Sequence, residues 1–234
     1  MQRHMDERKI RLLTKIIDEY ITSGQPVGSL FLVEKYNIGL SPATVRNDMA
    51  ALEEEGYTYQ PHSSAGRVPT VRGYRAYIES LKPARVSGRN QKKLLQIWGE
   101  AQCALELKLK QISKALSEMS GEVAFATLGE HFSYVAGFNT ICKKQEFKRK
   151  DFFREFSETI ENVDEISRRV LQIASAEPQI IFGKGHAFSQ RCSTVVLRYV
   201  YRNHHGILGI VGPMRMNYQK NISIMQAVKK VIEE

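Results

Sequence analysis

Disulfide chemistry has little to work with in this chain. Its 234 residues hold three cysteines, Cys103, Cys142 and Cys192. They are widely spaced and fall in no metal-ligand pattern. That excludes a disulfide scaffold and a zinc site, and it fits a reducing cytosol. Long apolar runs are also missing. None approaches the roughly 20 residues of a membrane span, and the first residues are polar, with no apolar signal core. A cytoplasmic location with no membrane partner is the expectation. Catalytic constellations are absent as well. No Ser, Cys or carboxylate sits in a recognisable catalytic setting, so the chain reads as a non-enzyme without cofactor or metal. Gly183-Lys184-Gly185 has neither the third glycine of a dinucleotide loop nor the Lys-Ser/Thr pair of a P-loop, and it reads as a turn. His186, His204 and His205 make no trustworthy metal pattern.

Acidic charge is in short supply too. Against 34 Lys and Arg stand 25 Asp and Glu, a formal net charge of +9. The excess is local. Residues 60–90 hold Arg67, Arg72, Arg75, Lys82, Arg85 and Arg89 against Glu79 alone. A basic stretch can serve solubility alone, but this one follows a helix suited to nucleic acid. Ser41 is an N-cap residue and Pro42 suits the first helical position. Val45, Met49 and Leu52 form the inward stripe. Ala43, Asn47 and Ala50 lie opposite, with Thr44 and Arg46 on the flanks. Arg and Asn are the side chains that make bidentate contacts to guanine and adenine in a major groove. The competing role for Arg46 is a salt bridge with Asp48 or Glu53.

The flanking residues extend this reading. Asp6 to Ser23 is an amphipathic helix closed by Gly24, and a second helix runs from Leu30 to Tyr36. Asn37-Ile38-Gly39 is the turn into the third helix. Tyr57-Thr58-Tyr59-Gln60 has strand character, residues 62–69 form a loop, and Thr70 caps a helix from Val71 to Leu81. Together these predict a winged helix-turn-helix. The expected DNA contacts are Ser41, Thr44, Arg46 and Asn47 on the helix, and His62, Ser63, Ser64, Arg67 and Thr70 in and after the wing. His62 has the alternative of packing under Tyr57. Gly66 suggests a tight turn. Tyr74 and Tyr77 read as core.

LSPATVRNDMAALEEEGY, QPHSSAGRVPT and GYRAYIE resemble the DNA-binding domain of the bacterial heat-inducible transcription repressor family, HrcA. ITSGQPVGS is similar to that family's entry into its second helix. GIVGPMRMNY (Gly209 to Tyr218) resembles a signature near the family's other end, and VAGFNTICKKQEF (Val135 to Phe147) is a weaker match. The resemblance implies a repressor of chaperone genes that binds an inverted-repeat operator in double-stranded DNA as a homodimer. It also implies a chaperonin partner and a GAF-like second domain. Relatives are longer, and the difference falls between about Met119 and Val135, where the family has an inserted dimerisation subdomain. The chain reads as a shortened variant.

The expected architecture is α+β: a winged helix-turn-helix at 1–82, a linker and one long helix at 83–119, and a reduced GAF-like domain at 120–234. The long helix rests on Leu94, Trp98, Ala101, Leu105, Leu109, Ile112, Leu116 and Met119, spaced three and four apart. Its seam can serve a dimer or pack on its own domain. Two strands, a helical stretch at 151–174 broken near Asn162, three more strands and a helix from Tyr218 to Ile232 follow. The Gly212–Tyr218 segment reads as a structural joint, with a ligand or chaperonin contact as the other reading. A small-molecule-responsive winged-helix regulator is the alternative function.

Overall fold

The computed structural model describes residues 6–81, 86–99, 104–129, 131–182 and 191–233. The chain divides into two compact units, residues 1–82 and 83–234. Among the described residues, no helix is long and apolar enough to cross a membrane.

The first unit begins with α1 (Glu7–Ser23). Asp6 caps it by accepting from the Arg8 N–H at 3.2 Å, and Gly24 ends it in the left-handed region. α2 (Ser29–Tyr36) follows. Its exit passes through Asn37 at φ 46° and Gly39 at φ 71°, two left-handed residues that reverse the chain into α3 (Pro42–Glu54). Two short strands, β1 (Thr58–Tyr59) and β2 (Val68–Pro69), pair antiparallel, and α4 (Val71–Ser80) closes the unit. Leu13, Ile16 and Ile17 of α1 are buried, as are Leu32, Val45, Met49, Leu52, Tyr74 and Tyr77. Those residues include the inward stripe expected of α3. Tyr77 joins the core and donates its hydroxyl to Asp18 at 2.7 Å, which gives a buried phenol the partner it requires.

The second unit departs from the expected long helix. α5 (Gly88–Gly99) and α6 (Leu105–Ser120) are separate, and Ala104 precedes α6 with an extended ψ of 145°. α6 returns along α5. Lys93 pairs with Glu118, and the buried Lys108 donates to the Trp98 carbonyl at 2.7 Å. The periodicity was continuous across the break because both helices turn their apolar stripes to the same core. Leu94, Trp98, Leu109, Ile112, Leu116 and Met119 are all buried within this unit. Gly99 adds a weak helix former where α5 ends. α5 already begins at Gly88.

A five-stranded sheet of order β4-β3-β7-β6-β5 follows, antiparallel at every pairing. Its strands are β3 (Val123–Leu128), β4 (Phe132–Ala136), β5 (Gln179–Phe182), β6 (Cys192–Tyr201) and β7 (His204–Pro213). α7 (Phe138–Ile141), a 3-10 turn (Gln145–Lys148), α8 (Lys150–Glu161) and α9 (Val163–Leu171) lie between β4 and β5. α10 (Tyr218–Glu233) ends the chain. Strand residues alternate between faces. Val123, Phe125, Val196, Ile207 and Val211 meet Phe152, Phe156, Ile166 and Val170 of α8 and α9. The other face is covered by α6 and α10, with α5 packed against both. The break near Asn162 falls between α8 and α9 as expected. The β6–β7 turn lies at Arg202-Asn203, because His204 and His205 already pair with Tyr201 and Val200. The expected turn at Gly183–Gly185, like His186 and Cys103, lies outside the described residues.

Candidate nucleic-acid interface

The outer face of α3 is built by three local choices. Ser41 Oγ accepts the Thr44 N–H at 3.1 Å and lies 2.9 Å from the Thr44 hydroxyl. Pro42 occupies the first turn, where its missing N–H costs nothing. Burial of Val45, Met49 and Leu52 then fixes which face turns outward. Ala43, Arg46 and Asn47 are exposed, and Ala50 is half-buried.

The nearby carboxylates are engaged elsewhere. Asp48 pairs with Arg8 of α1 at 2.5 Å. Glu53 accepts the Gln60 N–H at 2.8 Å and pairs with Arg67 at 2.8 Å. Arg46 and Asn47 have no side-chain hydrogen bond or ion pair among the described residues. The salt-bridge alternative for Arg46 is therefore not what the structure holds. A guanidinium and a carboxamide project from one helix face beside small alanines, their hydrogen-bonding capacity unused.

The loop between β1 and β2 splits the remaining candidates. His62, Ser63 and Ser64 are exposed at its tip. His62 Nδ1 lies 3.1 Å from Ser64 Oγ. His62 does not pack under Tyr57, whose ring is covered by Arg72 with its guanidinium carbon 4.6 Å from the centroid. Gln60, which sequence reasoning passed over, shapes the tip by donating its amide to the carbonyls of Ser63 (2.9 Å) and Ala65 (2.7 Å). No periodicity marks such a residue. Its only signal is an amide at the mouth of the loop.

Arg67 and Thr70 belong to the scaffold instead. The Arg67 side chain is 12% exposed, paired to Glu53, and its Nε is buried. Its backbone forms a bridge to Val27, with N–H···O distances of 2.8 and 2.9 Å. Thr70 caps α4 by accepting from the Gly73 N–H at 3.1 Å and donates to the Gly56 carbonyl at 2.7 Å. Both were expected on DNA. In the structure Arg67 is mostly buried and paired to Glu53, and the Thr70 hydroxyl is taken up by backbone groups. Gly66 is not a left-handed turn residue either. A Cβ there would stand 2.3 Å from the Val27 carbonyl carbon, so close backbone approach is what demands glycine.

At the other end of the chain, the Gly212–Tyr218 segment is a joint. Arg215 pairs with Glu146, and the Tyr218 hydroxyl donates to the Met214 carbonyl and lies 2.9 Å from Ser193 Oγ. A Cβ on Gly212 would meet Glu122 Oε2 at 2.2 Å. Glu122 is buried and pairs with Lys144. Burial pushes its carboxyl up to about 7, against the opposing pull of Lys144.

The fold has been seen in a solved structure. The crystal structure of a hypothetical protein, described at 2.2 Å, superposes with a TM-score of 0.79 over 98% of each chain at 17% identity, which is a likeness of fold. The family model described as "HrcA protein C terminal domain" matches residues 84–222, and the chain belongs to the HrcA family. The heat-inducible transcription repressor HrcA of Moorella thermoacetica is 42% identical over 123 residues, covering 52% of this chain and 36% of that protein. The protein of the same name from Frankia casuarinae is 40% identical over 120 residues, covering 51% and 35%. The matched stretch thus spans about a third of the length of these relatives.

Proposed function

We propose that this chain is a transcriptional repressor of heat-shock genes that binds duplex DNA through a winged helix-turn-helix formed by its first unit. The observation that carries this reading is the unpaired Arg46–Asn47 face of α3, in a chain whose relatives are named heat-inducible transcription repressors. α3 would enter the major groove with Ala43 and Ala50 admitting close approach. Arg46 and Asn47 would read base edges. Ser41, Thr44 and the Ala43 N–H, the one first-turn N–H that neither the cap nor the helix takes up, would meet a phosphate. His62, Ser63 and Ser64 form the wing tip and would grip flanking backbone. Two copies on an inverted repeat would present two such helices to successive grooves. The second unit, a sheet with helices on both faces, would be the GAF-like regulatory domain, and a chaperonin contact belongs to the same proposal.

The test is binding of the full chain to an inverted-repeat duplex and to a scrambled duplex across a salt series. Repressor action requires preference for the repeat with two protomers per duplex. Arg46→Ala should cost about 1–3 kcal/mol on the repeat and relax preference at one position. An equal loss on both duplexes would refute base reading by Arg46.

A further inference from the structure

On the sheet face that carries α9, the helical cover stops at Leu171 while β6 and β7 continue, with Arg198 opposite Ile207 and Val200 opposite His205. Directly paired residues share a face, and so do alternate ones. Arg198, Val200 and His205 therefore lie on the same face as Val196 and Ile207, but beyond the helices. Val200 is 60% exposed there. The uncovered stretch is an open groove of about 510 Å³. It continues across Leu171 into a recess of about 260 Å³ between the β3–β4 hairpin and α9.

The chemistry of this groove is unbalanced. Arg198, Arg202, His204 and His205 line the wider part, and Arg168 lines the recess, with Asp164 the acidic group among them. Among the described residues, Arg168, Arg198 and Asp164 have no side-chain hydrogen bond or ion pair. Ser167 points the same way. It is 4% exposed, lines the recess, and its hydroxyl is buried without a hydrogen-bond partner. A buried hydroxyl left unsatisfied is a cost that a bound group removes. Arg202 adds a backbone oddity: it holds the two-residue turn at φ 52°, a conformation that is uncommon for an arginine.

We propose that this groove binds a small hydroxyl-bearing organic phosphate. Arg198, with Arg202 and Arg168, takes the phosphoryl group, since guanidinium forks match phosphate oxygens. Leu171 and Val200 carry the body of the ligand, and a ligand hydroxyl reaches Ser167 in the recess. The site stands whether or not the first unit reads an operator, and none of its residues lies in that unit.

The probes are ribose 5-phosphate and inorganic phosphate, titrated into the full chain by calorimetry, with sodium chloride at matched ionic strength as the control. The expected result is saturable binding, tighter for ribose 5-phosphate than for inorganic phosphate and absent for chloride. Arg198→Ala should weaken both phosphates by about tenfold or more, the scale of a lost charged hydrogen bond. Ser167→Val should weaken ribose 5-phosphate several-fold and leave inorganic phosphate unchanged. No saturation by either phosphate up to about 10 mM, unchanged ribose 5-phosphate binding in Ser167→Val, or indifference to Arg198→Ala would overturn the proposal. So would displacement of the probe by random duplex with a matching loss of duplex affinity in Arg198→Ala, because the cations would then hold a DNA backbone.

Discussion

Replacing Gly66 with alanine puts the packing of the first unit to a quantitative test. The new Cβ would stand 2.3, 2.4 and 2.7 Å from the carbonyl carbon, oxygen and nitrogen of Val27. All three neighbours are backbone, so no side chain can swing aside. Ordinary contact requires the loop to retreat by about 1 Å. That retreat stretches the two hydrogen bonds between Val27 and Arg67, now 2.8 and 2.9 Å. Each contributes about 0.5–1.5 kcal/mol, and loosened packing of the buried Val27 adds roughly 1 kcal/mol. The expected loss is therefore about 2–4 kcal/mol, a large part of a typical stability. Gly28→Ala is the control one residue beyond Val27. Nothing lies within 4 Å of a Cβ there and its φ is −91°, so the entropy gained and the preference of the α2 N-cap for glycine should nearly offset and leave the change within about 1 kcal/mol of the parent. Urea unfolding of the full chain, followed by far-UV circular dichroism, measures both. Trp98, the lone tryptophan, sits in the second unit and supplies an internal reference whose fluorescence transition should stay in place. A Gly66→Ala loss within about 0.5 kcal/mol of Gly28→Ala would refute the close-approach argument.

Other perturbations separate scaffold from interface. Arg67→Ala should destabilise the first unit by about 2–3 kcal/mol, since it strips Glu53 of its charged partner; urea midpoints test this, and an unchanged midpoint with weakened duplex binding would return Arg67 to the phosphate role. Ser41→Ala removes the α3 cap and should cost about 1 kcal/mol in the same assay. Glu122→Gln should abolish a pH dependence. With its folded pKa at about 7 against an ordinary 4.5, the folded chain holds a proton that the unfolded chain releases, so stability falls as pH rises from about 4.5 to 7 and is level above. The total is on the order of 3 kcal/mol. A variant with the same slope as the parent would show that another group titrates.

Local signals were legible in the sequence wherever one residue's chemistry decided the outcome. Gly24, Ser41, Pro42 and Thr70 mark helix ends by caps that need no tertiary context. The inward stripe of α3 followed from 3.6-residue periodicity, and the break near Asn162 from the local interruption there. What periodicity could not convey is which partner a stripe faces. The α5 and α6 stripes keep one phase across a break because both face a single core, so continuity of pattern was mistaken for continuity of helix. Long-range pairings were equally hidden. Arg8 meets Asp48 across 40 residues, and Arg67 reaches Val27 across the same span.

The loop string PHSSAGRVPT shows why a specific motif need not be a contact surface. Only glycine fits at position 66, because the Val27 backbone passes against it. Arg67 is held by Glu53 and by that same backbone, and Thr70 caps α4. Three of the residues that make the string recognisable thus fix the loop against the α1–α2 connection, α3 and α4. His62, Ser63 and Ser64 alone present polar groups at its tip. If α3 reads DNA as proposed, base preference rests on Ala43, Arg46, Asn47 and Ala50, whose side chains contribute little to the fold. Changes at those four positions should then alter the operator at small cost in stability, whereas changes at Gly66, Arg67 or Thr70 should lower stability and leave sequence preference intact in whatever fraction remains folded.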